Sequence, residues 1–232
     1  MEVHGMITVP AIVLLVVLAF LYWRFIWFFR NPPRSVPPGD NLVSPADGTV
    51  VYVEKIKKGR EVFSIKHGLV ARLADITRED LGRSRILIGI FMSPFNVHYN
   101  RAPLSGTVES ISRYPSNGGN LNMRAMHWRT LFRIAPYYRD SRHIIQNERT
   151  VTRIDGKYKG VPISCYVVQI AGRTVHCIES YYREGMSVKK GDIFGMIRIG
   201  SQVDVVVPCL DGMRPSVRIG DKVRAGRTVL VE

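Results

Sequence analysis

The N-terminal part of the chain is continuously apolar, and the remainder is not. From Ile7 to Phe29 the only charge is Arg24, and aromatic residues crowd the C-terminal side of this run. As an α-helix it would extend about 35 Å, enough to cross the hydrocarbon layer of a membrane. Arg30 and Arg34 follow at once, the pattern of a cytoplasmic boundary. We therefore expect residues 1–30 to be a membrane anchor, with the rest of the chain on the cytoplasmic side of the cell membrane.

A cleaved signal peptide is the alternative for this segment. The apolar run is long for a signal peptide, no small-residue cleavage site follows it, and the positive charge lies on the wrong flank. These features favour a retained anchor.

A linker at 31–41, rich in proline, separates the anchor from a body whose pattern is that of strands. Between 42 and 232 the chain consists of short β-branched runs bounded by glycine, and helical periodicity is confined to Ala71–Leu81 and Leu121–Ile134. The predicted fold is therefore mainly β (α+β), with one domain at 42–232. The predicted strands are Gly48–Val53, Ile86–Met92, Pro162–Ile170, Thr174–Ile178, Ile193–Ile199 and Val203–Val207.

Two weak internal repeats refine this prediction. The pattern GxxV[KR]xG occurs at Gly185–Gly191 and at Gly220–Gly226, and the segments Ser44–Val50 and Ala102–Val108 are alike. Glycine turns that lead into strands are typical of small β-sandwiches of the lipoyl and biotinyl carrier type. We expect a compact β-sandwich or barrel with such repeats.

The charge of the chain indicates an anionic partner. It has 33 Lys and Arg against 19 Asp and Glu, a formal net charge of +14, which suits nucleic acid, a membrane surface or a phosphate-bearing substrate. Its 3 cysteines have no CxxC spacing, and no histidine pair has HxH or HxxxH spacing, so neither a disulfide framework nor a metal site is expected.

Four polar segments could carry chemistry: Ser44–Gly48, Phe91–Pro103, Asn147–Arg149 and Phe194–Asp204. In the first, Asp47 could serve only as the acceptor of an Asx-turn. In the second, His98, Asn100 and Arg101 form a dense set of donors for an anion. The third could be a solvated turn.

The fourth segment contains Gly200 and Ser201 within an otherwise apolar stretch. It could be a β-bulge. It could also be a site at which the serine hydroxyl attacks the preceding carbonyl, because glycine has no side chain to block the approach.

The four segments, taken in order, resemble those of the short-form phosphatidylserine decarboxylase proenzymes, a group that includes the archaetidylserine decarboxylases. Their sequences are SPADG, FMSPFNVHYNRAP, NER and FGMIRIGS, and a basic GDKVRAG tail follows. The resemblance covers most of the chain from Asn31 to Glu232, and the anchor also fits. It implies a self-processing carboxy-lyase of phospholipid biosynthesis, a zymogen that converts a serine phospholipid to the ethanolamine phospholipid and CO₂.

The resemblance also implies roles for particular residues. The chain would cleave itself between Gly200 and Ser201, giving a large subunit of residues 1–200 and a small subunit of residues 201–232 that stay together as a heterodimer. Ser201 would become a covalent pyruvoyl cofactor that forms a Schiff base with the substrate amine. His98 would return a proton to the substrate, Asp47 would act in self-cleavage, and Asn100 and Arg101 would bind substrate. A homo-oligomer is left open.

The sequence departs from the longer bacterial members in two places. In those members an Asp–His pair is the base for self-cleavage. Its aspartate matches Asp47, and its histidine lies three residues after the one that matches His98, where this chain has Arg101. Either His98 serves both steps, or Asp47 acts without a histidine partner. The stretch from Leu121 to Gln146 is also longer and more basic than expected, with arginines and aromatics interleaved. It suits a surface in the lipid headgroup layer or, alternatively, a solvated basic loop.

Three other classes of protein share some of these features. A lysostaphin-like peptidase needs an HxH zinc pair, which this sequence lacks. A membrane-tethered lipoyl- or biotinyl-like carrier or adaptor, the main alternative, should present a lysine at a hairpin tip or a long helical hairpin, and neither is evident. A nucleic-acid binder explains the charge but not the anchor, and no RNP-like or helix-turn-helix pattern is present. The expected partners are thus an anionic membrane and its serine phospholipid.

Overall fold

The computed structural model describes residues 3–57, 62–65, 69–72, 84–139, 141–173, 178–198 and 200–232. The chain divides into two compact units, residues 1–32 and residues 33–232. Helix α1 (Val3–Tyr22) and a π-helical turn (Trp23–Trp27) make up the first unit. From Val9 to Trp27 this segment is long and apolar enough to cross a membrane, judged by length and composition.

The second unit is built mainly of strands, which confirms the mainly β prediction. The two short helices among its described residues are α2 (Arg124–Phe132) and α3 (His143–Gln146). The strands are β1 (Leu42–Val43), β2 (Gly48–Ile56), β3 (Val62–Ile65), β4 (Leu69–Arg72), β5 (Arg85–Met92), β6 (Tyr99–Arg101), β7 (Gly106–Tyr114), β8 (Arg149–Tyr158), β9 (Val161–Ile170), β10 (Ile178–Ser180), β11 (Ser187–Val188), β12 (Ile193–Ile197), β13 (Ser201–Pro208), β14 (Lys222–Val223) and β15 (Val229–Val231).

An eight-stranded antiparallel sheet, in the order β11-β7-β8-β9-β13-β5-β2-β14, forms the centre of this unit. Strands β5 and β13 are buried along their whole length because both faces of the sheet are covered. Alternate residues of β5 join two different cores: Ile88 and Ile90 pack in the first core, and Leu87 and Phe91 in the second. Helices α2 and α3 contribute to the second core through Met126 and Ile144.

The internal repeats occupy equivalent positions at the two edges of this sheet. Strand β14 pairs with the start of β2, Val223 opposite Gly48, and β11 pairs with the start of β7, Val188 opposite Gly106. Flanking bonds are matched as well: Gly226 N donates to Ser44 O at 2.8 Å, and its counterpart Gly191 N donates to Ala102 O at 2.9 Å. All four glycines that bound the two repeat turns have positive φ, which explains why glycine is required there. The likeness to lipoyl-type carriers stays a prediction.

Several predicted elements shift at their ends. The helix expected at Leu121–Ile134 is shorter, Arg124–Phe132. The prediction of a helix at Ala71–Leu81 is wrong for its first two residues, because Ala71 and Arg72 belong to β4. Residues 73–81 lie outside the described residues. Of the strand expected at Thr174–Ile178, residues 174–177 also lie outside, and Ile178 begins β10. The described cysteines, Cys165 and Cys209, are free thiols.

Candidate active site

Three adjacent strands, β2, β5 and β13, bring Asp47, Met92 and Ser201 to the same end of the large sheet. Ser201 begins β13 and lies opposite Met92, the last residue of β5. Asp47 directly precedes β2, which pairs with β5 through Thr49 and Phe91. Since neighbouring strands lie about 4.8 Å apart, a single strand, β5, separates the Asp47 segment from Ser201.

The Gly200–Ser201 junction has an unusual backbone and a buried side chain. Gly200 has φ +71°, a left-handed conformation that residues with a side chain rarely adopt. It lies between β12, a strand of the three-stranded sheet, and β13, a strand of the eight-stranded sheet, so it is not a bulge within a strand. Ser201 is fully buried, and its Oγ lies 3.5 Å from Met92 Sδ. The serine hydroxyl is therefore shielded from bulk water and held next to a glycine carbonyl.

Strand β6 brings His98 and Asn100 to the chain that leads into Gly200. It pairs with β12, and Ile197 N donates to His98 O at 3.3 Å. His98 and Asn100 are both fully buried. Asn100 Nδ2 lies 3.7 Å from Met92 Sδ, the same sulfur that contacts Ser201 Oγ. The structure thus groups Asn100 with Ser201 around Met92, and it places His98 beside the strand that precedes Gly200.

Gln169 is a further member of this cluster that the sequence analysis missed. It lies opposite Val203 on β9 and is fully buried. Its Nε2 donates to Asn100 Oδ1 at 2.8 Å, while its Oε1 has no hydrogen-bond partner within the described part of the chain. A glutamine within the apolar strand PISCYVVQI was the signal that could have identified it.

Asp47 is anchored through both of its carboxylate oxygens. Oδ2 forms an ion pair with Arg34 at 2.8 Å, and Oδ1 accepts a hydrogen bond from Ala225 N at 2.7 Å. Both side chains of the ion pair are nearly buried. Arg34, which the sequence analysis placed at a membrane boundary, instead lies in the second unit with its charge on Asp47.

Arg101 points away from the Ser201 cluster. Its backbone N donates to Pro45 O at 2.9 Å, and its Nη1 donates to Gly191 O at 2.8 Å. Partial burial lowers the pKa of Arg101, and the nearby positive charge of Arg34 lowers it further. Of the two residues expected to bind substrate, Asn100 therefore lies with Ser201, whereas Arg101 lies among the glycine turns close to Arg34 and Asp47.

A second polar cluster lies behind Ser201, on the other face of the sheet. Gln202 Nε2 donates to Tyr52 Oη at 2.8 Å and to Asp204 Oδ1 at 2.7 Å, and Tyr52 Oη donates to Asp204 Oδ2 at 2.6 Å. Gln202 Oε1 lies 2.9 Å from His143 Nε2. Gly89, opposite Asp204, makes this possible, because a Cβ there would lie 2.3 Å from the Tyr52 ring.

Burial perturbs the titration of the groups in this second cluster. Burial raises the pKa of Asp204 to about 6, although the hydrogen bonds from Tyr52 and Gln202 act to lower it. Burial also lowers the pKa of His143 to about 4. Burial and the adjacent Asp204 carboxylate also raise the pKa of Tyr52. Sequence analysis missed this cluster, although a carboxylate within the strand SQVDVVVP was a visible signal.

The NER segment is buried, so its interpretation as a solvated turn is wrong. Asn147 bonds the backbone of Leu121 through both amide atoms, at 2.8 and 2.9 Å, and donates to Ala171 O at 2.7 Å. Arg149 is 1% exposed and donates to the carbonyls of Ile144 and Ile145 in α3. These bonds hold the segment from Leu121 to Gln146 against the sheet.

No three His, Cys, Asp or Glu side chains converge as metal ligands in the described ranges.

Comparison with known proteins identifies the family. The profile of the phosphatidylserine decarboxylase family matches residues 21–231. The chain belongs to the phosphatidylserine decarboxylase family. This confirms the resemblance inferred from the four motifs and gives no support to the carrier or adaptor alternative.

Individual relatives agree with this placement, and each is named phosphatidylserine decarboxylase proenzyme. The relative from Trichlorobacter lovleyi is 37% identical over 230 residues, which cover 97% of this chain and 82% of the relative. Those from Pelobacter propionicus and Thermobifida fusca are each 35% identical over 88% of this chain, covering 74% and 71% of the relatives. The family is one of carboxy-lyases made as proenzymes.

Proposed function

We propose that this chain is a self-cleaving proenzyme whose mature form decarboxylates a serine phospholipid, phosphatidylserine or its archaeal counterpart archaetidylserine, to the ethanolamine phospholipid and CO₂. The observation that carries the proposal is the junction of a left-handed Gly200 with a buried Ser201 at the start of a central strand, in a chain that belongs to a family of decarboxylase proenzymes.

Self-cleavage begins with Ser201. Its Oγ attacks the Gly200 carbonyl, and the peptide becomes an ester by an N-to-O acyl shift. A base then removes the Ser201 Cα proton, the C–O bond breaks, and Gly200 leaves as a carboxylate. The resulting dehydroalanine tautomerises to an imine, and water hydrolyses the imine with loss of ammonia, so that a pyruvoyl group begins the small subunit.

The surroundings of Ser201 fit a pyruvoyl group. Ser201 begins a strand that is buried along its length, and its Oγ lies 3.5 Å from the weakly polar sulfur of Met92, so a pyruvoyl group formed at this position would be shielded from bulk water. A pyruvoyl group supplies an electrophilic carbonyl that captures the substrate amine and accepts the electron pair released with CO₂. Strand β13 lies between β5 and β9, which favours a large and a small subunit that stay together as a heterodimer.

The neighbouring side chains have distinct proposed roles. His98 returns a proton to the substrate carbon after CO₂ leaves, a task suited to imidazole. Asn100, held by Gln169, donates hydrogen bonds to the serine headgroup. Arg101, close to Arg34, supplies positive charge for the headgroup phosphate.

The proposed location is the cell membrane, with the catalytic unit on the cytoplasmic side. One N-terminal helix has the length and composition of a membrane span, and arginines follow its aromatic C-terminal end. An anionic bilayer would then be both the partner and the source of substrate. We further propose that the paired glycine-turn repeats form a sandwich of the lipoyl type, used here as a scaffold.

His98 provides the test of the proposed chemistry. We expect His98→Ala to release CO₂ from phosphatidylserine micelles at least about 100-fold more slowly per cleaved chain, because general acid catalysis typically contributes that much. Normalising to the cleaved fraction, measured by intact mass, separates loss of chemistry from loss of processing.

His127, which contacts Phe91 on the other face of the sheet, provides the matched control, and His127→Ala should release CO₂ normally. Normal CO₂ release by cleaved His98→Ala would refute the role of His98. Absence of CO₂ release from cleaved wild-type protein, with either lipid class as substrate, would refute the proposed function.

A further inference from the structure

Helix α2 has an apolar surface on the side that faces solvent. Trp128, Leu131 and Phe132 lie on one side of the helix, and Ile134 follows its last turn; their side chains are 54%, 56%, 63% and 56% exposed. The rings of Trp128 and Phe132 stack at 5.7 Å. We call these four residues the outer face of α2.

The opposite side of the same helix is already used. Met126 and Thr130 are buried, and Met126 packs in the second core. A surface helix normally has one apolar and one polar side, and a helix that is apolar on both sides is covered on both. The outer face of α2 therefore has the character of a surface that is covered in the working protein.

The helix lies close to the candidate active site. The ring of His127 is 6.2 Å from the ring of Phe91, and Phe91 is opposite Gln202, the residue after Ser201. Helix α2 thus packs against the face of the sheet opposite Met92 and Ser201 Oγ, at the strands that carry these two residues.

Positive charge surrounds the outer face of α2. Arg124 begins the helix, Arg133 ends it, and Arg139 and Arg142 follow; all four are exposed. Apolar and aromatic side chains flanked by arginines are typical of elements that lie in the headgroup layer of an anionic bilayer. A protein partner would need carboxylates to match the arginines, whereas an anionic bilayer supplies negative charge and apolar depth together.

We propose that the outer face of α2 docks on the surface of an anionic lipid bilayer, with Trp128, Leu131 and Phe132 below the headgroups and the arginines on lipid phosphates. The proposal deepens the proposed function and rests on it in one respect, since a lipid substrate gives the docking its purpose. It names the surface through which the catalytic unit, separately from the anchor, meets the membrane.

Depth-dependent fluorescence quenching tests the docking directly. The full chain with Trp23→Phe and Trp27→Phe retains Trp128 as its single tryptophan, whose emission is excited selectively over that of tyrosine. It is reconstituted in vesicles of phosphatidylcholine and phosphatidylglycerol, with and without bromine on the acyl chains. We expect blue-shifted Trp128 emission that brominated lipid quenches, and weaker quenching when phosphatidylglycerol is omitted.

A matched control places the probe elsewhere on the catalytic unit. Val161 is also exposed and apolar, but it lies at the far end of β9 from Ile170, the residue opposite Gln202. In a chain whose three native tryptophans are replaced by Phe, Val161→Trp should show no quenching.

A functional arm uses the pair Leu131→Glu and Phe132→Glu. We expect decarboxylation of vesicle lipid to fall about tenfold or more, the effect of failing to bury one large apolar side chain, while the rate on a short-chain, water-soluble phosphatidylserine stays unchanged. Equal loss on both substrates would overturn the proposal.

The outcomes also separate docking from chemistry. The quenching is repeated with Ser201→Ala, which cannot form the pyruvoyl group, and quenching there supports docking whatever the enzyme's activity. Trp128 emission that bromine leaves unchanged, in protein that does release CO₂, would overturn the docking surface and leave the function standing. Lipid-independent, concentration-dependent shielding of Trp128 would assign the face to a second copy of the chain and also overturn the proposal.

Discussion

Gln202 fixes the strand immediately after the reactive serine. Its side chain bonds Tyr52, Asp204 and His143 on the face of the sheet opposite Met92. Two of these partners, Tyr52 and His143, would belong to the large subunit after cleavage. A buried, mutually bonded polar cluster specifies one arrangement of its members more sharply than apolar packing does, so it holds the start of β13 in place.

The buried Asp204 predicts a pH dependence of stability. Its pKa is raised from 3.8 to about 6, so the folded protein binds this proton more tightly than the unfolded chain does. Its stabilising contribution is complete below about pH 4 and is lost as the pH rises through 6, a change of at most about 3 kcal/mol. Asp204→Asn should remove that change.

The measurement compares the unfolding midpoints of Ser201→Ala protein with and without Asp204→Asn, at pH 4.5 and pH 7.5. The single-chain background keeps cleavage out of the comparison, and the difference between the two proteins cancels the opposing titration of His143. The unfolding midpoint of the Asp204→Asn variant, relative to that of its parent, should be higher at pH 7.5 than at pH 4.5. An equal offset at both pH values would mean that Asp204 does not titrate in this range.

The residues proposed for catalysis and substrate binding are easier to find in the sequence than the polar residues that contact them. Gly200, Ser201, His98 and Asn100 lie in motifs or beside glycine. Gln169 and Asp204 are single polar residues in apolar strands, and their partners come from distant parts of the chain, so no local pattern indicates what they contact.

At the level of elements, the repeat turns explain why Asp47 lies where it does. Asp47 Oδ1 accepts from Ala225 N at 2.7 Å, and at the equivalent position of the other repeat Ser105 Oγ accepts from Lys190 N at 2.9 Å. The bond thus belongs to the turn itself. Only Asp47 adds an ion pair, with Arg34. This favours a positioning role for Asp47 in self-cleavage, and its role as a base stays the alternative.

Paired substitutions of Asp47 separate the two roles. Asn can retain the bond to Ala225 N but lacks a basic carboxylate, whereas Ala lacks both, and each variant loses the ion pair with Arg34. For a positioning residue we expect near-normal cleavage of Asp47→Asn and cleavage about tenfold slower for Asp47→Ala, the effect of one lost buried hydrogen bond. Time-resolved gel analysis of newly made protein measures both rates.

Ser105→Ala is the control, because it removes the equivalent bond in the other repeat; it should cleave normally. If Asp47→Asn is as slow as Asp47→Ala, the negative charge of Asp47 is required, either as a base or as the partner of Arg34, and the bond to Ala225 N alone does not explain its role.

Local pattern predicted several strands of the central sheet but missed β7 and β8, whose sequences mix polar and apolar residues, and it predicted the helical segment only in part. Glycine-bounded β-branched runs mark β2, β5, β9 and β13 correctly. The span of α2 was overestimated because its ends are set by tertiary bonds, such as those of Asn147 to Leu121. Helix α3 is a single turn held by Arg149, and a segment that short has no periodicity to detect.

For the molecule as a whole, the order of the sheet could not be predicted from sequence. Strand β13 pairs with β9 and with β5, which lies more than a hundred residues earlier. These pairings place Ser201 next to Met92 and hold β13 on both sides, and β14 and β15, later in the 32 residues that follow Gly200, pair with β2 and β1. A cut at Gly200 would therefore leave the fold intact, which is what a self-processing enzyme needs.

The central claim is that the chain cleaves itself between Gly200 and Ser201 to make its own cofactor, and the intact mass of the purified protein tests it most directly. We predict two chains, residues 1–200 and residues 201–232, with the small chain lighter than a serine-initiated peptide by one ammonia. Ser201→Ala should give a single chain of full length. Full-length mass in protein that actively releases CO₂, or cleavage at the same bond in Ser201→Ala, would contradict the account.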